Sequence, residues 1–214
     1  MLLFAAVMAL QAPPEAPRDT VDVRAVAQAP AGAGLIDSAA WGSPQIHLPT
    51  AQGDARVWLL RAADTVFVAV HIRDRSRSWS DAVAICLDVA GDRAAAPAHD
   101  DFQWSIQRVL DSSVVYRGRA GRWQPPLDDP DWRLKAARAG GGWEVGTADD
   151  AAGWSVVLRL DPAWVASAES GRRPGIGIRI HDDDPNGWYS WPLVAAAGGA
   201  PLLERSPARW AAVR

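Results

Sequence analysis

Short runs with apolar residues at alternate positions, punctuated by Gly, Pro and Asp, constrain this chain more than any other feature. Val57 and Leu59 share one face of Ala55–Arg61, and Val66, Val68, Val70 and Ile72 one face of Val66–Arg73. The connection Ala62–Thr65 suits a hairpin. The same two-residue period recurs in Val21–Val26, Asp81–Asp88, Asp101–Val109, Ser112–Arg117, Trp132–Arg138, Trp143–Thr147, Trp154–Leu160 and Ile176–Ile180, with Pro207–Arg214 as a closing strand. Arg119–Trp132 carries three prolines and reads as loop. One short helix is expected at Asp161–Ala168, where Asp161 is placed to cap and Pro162 to start it. About ten short strands with regular turn signals predict an all-β fold, an antiparallel, jelly-roll-like β-sandwich with at most one or two short helices.

The pattern is most informative from Trp79 to Ile106. In Asp81–Asp88, Val83, Ile85 and Leu87 form a bulky face, and Ala82, Ala84 and Cys86 an unusually small one. In the next strand Phe102, Trp104 and Ile106 share one face, and Gln103, Ser105 and Gln107 the other. If the two strands are neighbours, the small face and the amide face make one shallow polar floor with room above it. An ordinary solvated sheet face gives the same pattern.

Composition narrows the partners. A formal net charge of −3 argues against nucleic acid and against an acidic membrane surface. Cys86 is the single cysteine, which excludes an intrachain disulfide and a cysteine-based zinc site. Its setting is that of a small buried hydrophobe. Twelve Trp against three Phe and two Tyr is an unusual balance. Indoles supply buried area in an Ala-rich core, and they also serve as flat platforms for the C–H face of a sugar ring.

Met1–Ala12 is apolar, too short to span a bilayer, and precedes a Pro-rich stretch. Residues 1–20 are therefore expected to be a signal-like segment and linker, and 21–214 a single domain. The expected location is secreted or periplasmic.

The order of these motifs resembles the family 9 carbohydrate-binding modules. Leu35–Trp41, the hairpin ending at Asp74, Trp79 before Asp81–Asp88, Asp100, Asp101 and Gln103, Gly153–Pro162, Gly175–Asp182 and Pro207–Arg214 follow that family's succession. The resemblance covers nearly all of the chain from Val21 onward. It implies a non-catalytic β-sandwich that binds oligo- or polysaccharide between aromatic side chains over a polar groove and accompanies polysaccharide breakdown. By position it implies Trp79 as one clamp and Arg179 in the groove; strand parity turns Gln103 to the same side. Ala84 and Ser105 stand where the family has a groove Glu and Arg. The second clamp position falls near Glu204, with Trp188 or Trp191 as substitutes from a neighbouring loop.

Asp92, Asp100 and Asp101 flank one loop, and Asp182, Asp183 and Asp184 another. Clustered carboxylates suit a structural Ca²⁺, as the resemblance also implies, and aspartates are equally favoured in turns. The first three are the metal candidates, and no cofactor is required. No nucleophile elbow, His-Glu-x-x-His or phosphate loop occurs. A glycosidase pair such as Asp101 and Asp183 has only its existence to recommend it. The domain is expected to be a monomeric, non-enzymatic binding module. The alternative is a cell-envelope structural or interaction domain that kept the fold and lost sugar binding.

Overall fold

The structure is a computed structural model, and it describes residues 20–30, 34, 36, 38–109, 112–125, 142–161, 172–184, 186–192 and 207–214. The segments Met1–Ala12 and Trp132–Arg138, all of the expected helix after Asp161, and Glu204 lie outside the described residues.

The alternating runs become strands. They are β1 (Thr20–Val21), β2 (Arg24–Ala25), β3 (Ile46–Thr50), β4 (Gly53–Ala62), β5 (Thr65–Ile72), β6 (Ala82–Asp88), β7 (Asp101–Gln107), β8 (Val114–Arg119) and β9 (Arg122–Gln124). After these come β10 (Trp143–Asp149), β11 (Trp154–Leu160), β12 (Gly175–Asp183), β13 (Asn186–Trp191) and β14 (Ala211–Val213). Ser38–Trp41 is a single helical turn, α1, and Pro207–Arg209 a 3₁₀ turn. One sheet runs β1-β14-β12-β6-β7-β8-β9, with β13 also paired to β12. The other runs β10-β11-β5-β4-β2, with β3 paired to β4. Among the described residues, only β1 with β14 and β2 with β4 pair in parallel.

The chain is a β-sandwich, as the alternation predicts. Val57, Leu59, Val68, Val70, Val83, Ile85, Trp104, Ile106, Val156, Leu158, Ile178 and Ile180 all lie in one buried cluster between the sheets. Strand parity places them there, since each is an alternate residue of its strand. The second sheet is buried on its outer face as well. Trp58, Leu60, Phe67, Ala69 and Val157 pack there with Trp41 of α1. The Trp41 indole meets Trp58 and Phe67 edge-on, and Trp58 Nε1 donates to the Gly42 carbonyl at 3.0 Å.

Three local expectations are corrected. Val21–Val26 is split between the sheets, β1 joining one and β2 the other. Pro207–Arg214 begins as a 3₁₀ turn and pairs only over Ala211–Val213. Part of the expected loop Arg119–Trp132 is strand β9, closed on β8 by Ala120 and Gly121 at φ 50° and 76°. Positive φ at both central residues suits a two-residue hairpin turn, and Ala at the first gives no signal for it.

Candidate functional site

The candidate residues of the resemblance gather on the outer face of the first sheet. Hydrogen-bonded register aligns Ser190, Arg179, Ala84, Ser105 and Val114 in one row, and Trp188, His181, Ala82 and Gln107 in the next. A third row holds Gly177, Cys86, Gln103 and Tyr116. The small face of β6 and the amide face of β7 therefore do form one floor.

Only part of that floor is open. The Trp210 indole, from just before β14, is fully buried over Gly177 and packs with Cys86 and Trp123. Trp123 stacks on it with ring planes 3° apart. Gln103 lies in the same row and is buried. Space above the small face is thus partly taken by the chain's own indole. Ala82, Ala84, Ser105 and Gln107 remain partly exposed, so Gln107 is the amide on the open part.

The exposed aromatics stand at that open end. Among the described residues, Trp79 at 72% and Trp188 at 57% are the exposed large hydrophobics. Trp188 packs on two cross-strand neighbours. The Arg179 guanidinium centre is 3.7 Å from its ring centre, and the His181 ring stacks on it at 4.0 Å and 25°. His181 Nδ1 lies 2.7 Å from the carbonyl of Ser80, the residue after Trp79. One imidazole therefore joins the Trp79 loop to the Trp188 strand. Trp191 does not take part. It pairs with Ile178 on the core side, where it is packed against the buried cluster. Trp188 and Trp191 are three positions apart on β13, an odd spacing that puts them on opposite faces.

A buried charged cluster holds the Trp79 loop. Arg108 Nη1 lies 3.3 Å from both Asp74 Oδ2 and Asp81 Oδ2 and donates to the Ser76 carbonyl, while its Nε donates to Asp149 at 2.7 Å. Asp74 accepts from the Ser76 N–H, and Asp81 from the Ser78 N–H. Asp182 completes a group of three buried carboxylates with Asp74 and Asp81. Burial pushes its carboxyl up, against a hydrogen bond from the Asp184 N–H, and the charges of Asp74 and Asp81 add to the rise. Ser78 Oγ also donates to Asp183. The sequence reading placed Asp74 and Asp81 only as motif positions and gave Arg108 no role; the Arg is distant in sequence from all its partners.

The candidate metal residues gather differently from expectation. Asp88, Asp92 and Asp100 bring carboxylate oxygens within 4.8 Å of one another. Asp88, at the end of β6, was missed as a ligand because it reads as the last strand residue. Its oxygens accept from the Gly91, Asp92 and Arg93 N–H groups, folding the loop around it. Asp101 pairs with Asp88 across the strands and accepts from the Ala98 N–H at 2.7 Å. Burial pushes its carboxyl up to about 7, opposed by that N–H and reinforced by Asp88, Asp100 and Asp92. Asp100 Oδ2 and Asp101 Oδ1 are buried and lack a hydrogen-bond partner. Unsatisfied buried carboxylate oxygens beside other carboxylates are the donor set a hard dication takes.

No protein-family model and no curated protein matches the chain. Among solved structures, it is similar to a family 9 carbohydrate-binding module from Caldicellulosiruptor kristjanssonii in complex with glucose. The TM-score is 0.58 at 15% identity, over 92% of this chain and 95% of that one. A family 9 module from the same organism in complex with cellotriose gives 0.57 at 16%, over 91% and 93%. The two-sheet architecture derived above is the fold of these family 9 carbohydrate-binding modules.

Proposed function

We propose that this domain is a non-catalytic saccharide-binding module whose contact surface is Trp79, Trp188 and the open floor of Ala82, Ala84, Ser105 and Gln107. The observation that carries this reading is that the two exposed large aromatics flank one imidazole, which stacks on Trp188 and lies 2.7 Å from the carbonyl of Ser80, next to Trp79. Exposed indoles are costly to leave in water unless a ligand covers them, and sugar rings offer C–H faces that suit them. Support also comes from the fold, shared with modules that hold glucose and cellotriose. Arg179 acts here beneath Trp188, as an indole support, and Gln107 replaces Gln103 as the floor amide. Titration with glucose, cello-oligosaccharides and xylo-oligosaccharides, followed by NMR, is the test. Shifts at Trp79 and Trp188 are expected; no shift with any saccharide would overturn the reading.

The same reading includes a structural Ca²⁺ held by Asp88, Asp92 and Asp100, with Asp101 behind them. It would neutralise the buried carboxylates at the foot of β6 and β7. It also includes export directed by Met1–Ala12, so protein recovered from its host should lack that segment by mass spectrometry. Association with polysaccharide-degrading systems follows from the ligand class. Among the described residues, no helix is long and apolar enough to cross a membrane.

One observation favours a cell-envelope interaction domain instead. Trp210 fills part of the floor, and Ala84 and Ser105 provide no charge there. That reading predicts a protein partner at the Trp79–Trp188 surface and no response to any saccharide.

A further inference from the structure

We infer that His181 is the positioning residue of this site, fixing the indole of Trp188 and the backbone beside Trp79 through one ring. The inference rests on the saccharide reading above and deepens it. His181 touches each side of the site by a different interaction. Its Nδ1 faces the Ser80 carbonyl, an acceptor only, so Nδ1 carries the proton and donates. That bond holds the backbone next to Trp79. Its ring face lies on Trp188. Its Nε2 lies 3.1 Å from Asn186 Oδ1, at the start of β13.

With its proton on Nδ1 the ring has an acceptor at Nε2, which the Asn186 amide serves by turning its N–H₂ inward. From β6 the ring faces Ala82, and from β13 Trp188 and Asn186, while Arg179 of the same strand lies on the same indole. One side chain thus ties the Trp188 indole, the start of β13 and the backbone after Trp79 to one another. A platform held in its bound orientation loses less freedom on binding.

The experiment is a saccharide titration of the parent, H181A and H181F by calorimetry, with the Trp indole N–H resonances followed by NMR. H181F keeps a stacking ring but no hydrogen bond, so it should keep the Trp188 response to saccharide and lose that of Trp79. H181A should lose both and bind about tenfold more weakly than the parent. A parent that binds no saccharide overturns the underlying reading and this inference with it. Parent binding undiminished in H181A, or the same response of both indoles in H181F as in the parent, overturns this inference alone.

Discussion

The Trp210 indole lies so close over Gly177 that a Cβ there would meet its Cδ1 at 2.7 Å. A glycine on β12 is thus what lets this indole settle on the sheet. Gly177→Ala is expected to cost about 1–3 kcal/mol by overpacking. Trp210→Ala should cost about 3–5 kcal/mol and expose Gln103. Urea unfolding checks both, and a neutral Gly177→Ala would mean that Trp210 packs elsewhere in solution.

The Trp79 and Trp188 surface makes a graded prediction. With a shallow floor, saccharide affinity should be on the order of millimolar to tens of micromolar, about 4–6 kcal/mol. Trp79→Ala should remove roughly 1–2 kcal/mol or more of this. Trp188→Ala should have a similar effect, whereas Trp191→Phe, on the core side, should leave affinity unchanged. Calorimetry of the three variants against one oligosaccharide gives the ranking; equal losses at Trp188 and Trp191 would contradict the face assignment.

Arg108 is expected to hold both stability and the Trp79 loop. Arg108→Met leaves Asp74 and Asp81 buried without their cation, which should cost about 3–5 kcal/mol. The loss should appear as a lower denaturation midpoint. Trp79 fluorescence anisotropy should also fall as its loop loosens. An unchanged midpoint would show that the carboxylates find another partner.

Calcium should stabilise the protein if the carboxylate group at the foot of β6 binds it. A hundredfold excess over Kd corresponds to about 2.7 kcal/mol, or roughly 5–10 °C in melting temperature for a domain of this size. Chelator should reverse the gain. Asp92→Asn removes one ligand charge at an exposed position and should weaken the response. Identical melting in calcium and in chelator would exclude the site.

Asp150 shapes the β10–β11 hairpin and sets an acid limit on it. Its Oδ1 accepts from the Ala152 and Gly153 N–H groups at 2.7 and 2.9 Å, and its Oδ2 lies 3.0 Å from His71 Nε2. Partial burial pushes the carboxyl up, but those N–H groups and His71 outweigh it and hold it below the usual range. A depressed folded value means that the stabilisation is present above about pH 4 and is lost as pH falls through the folded value. Asp150→Ala should cost about 0.5–1.5 kcal/mol at neutral pH, and part of the acid-induced loss should disappear with it. A parallel acid limb in parent and variant would rule this out.

Strand parity was legible in the sequence because it is local. A period of two assigns Val83, Ile85 and Leu87 to one face and Ala82, Ala84 and Cys86 to the other wherever the strand lies. Enough such strands admit few solutions besides a sandwich, so the core followed. Trp79 could be singled out as the aromatic before a strand with a small face, and the structure leaves it exposed. The rest required pairing in three dimensions. Gln103 and Gln107 have the same parity, yet Gln103 is buried, in the row where Trp210 covers Gly177 and packs with Cys86, and Gln107 stays partly exposed. Trp188 and Trp191 differ only in which β12 residue each one opposes. Arg108 meets carboxylates 27 to 41 residues away, and His181 a carbonyl 101 residues away. Alternation along a strand says which side a residue faces; what waits on that side is decided by register and by segments brought in from elsewhere in the chain.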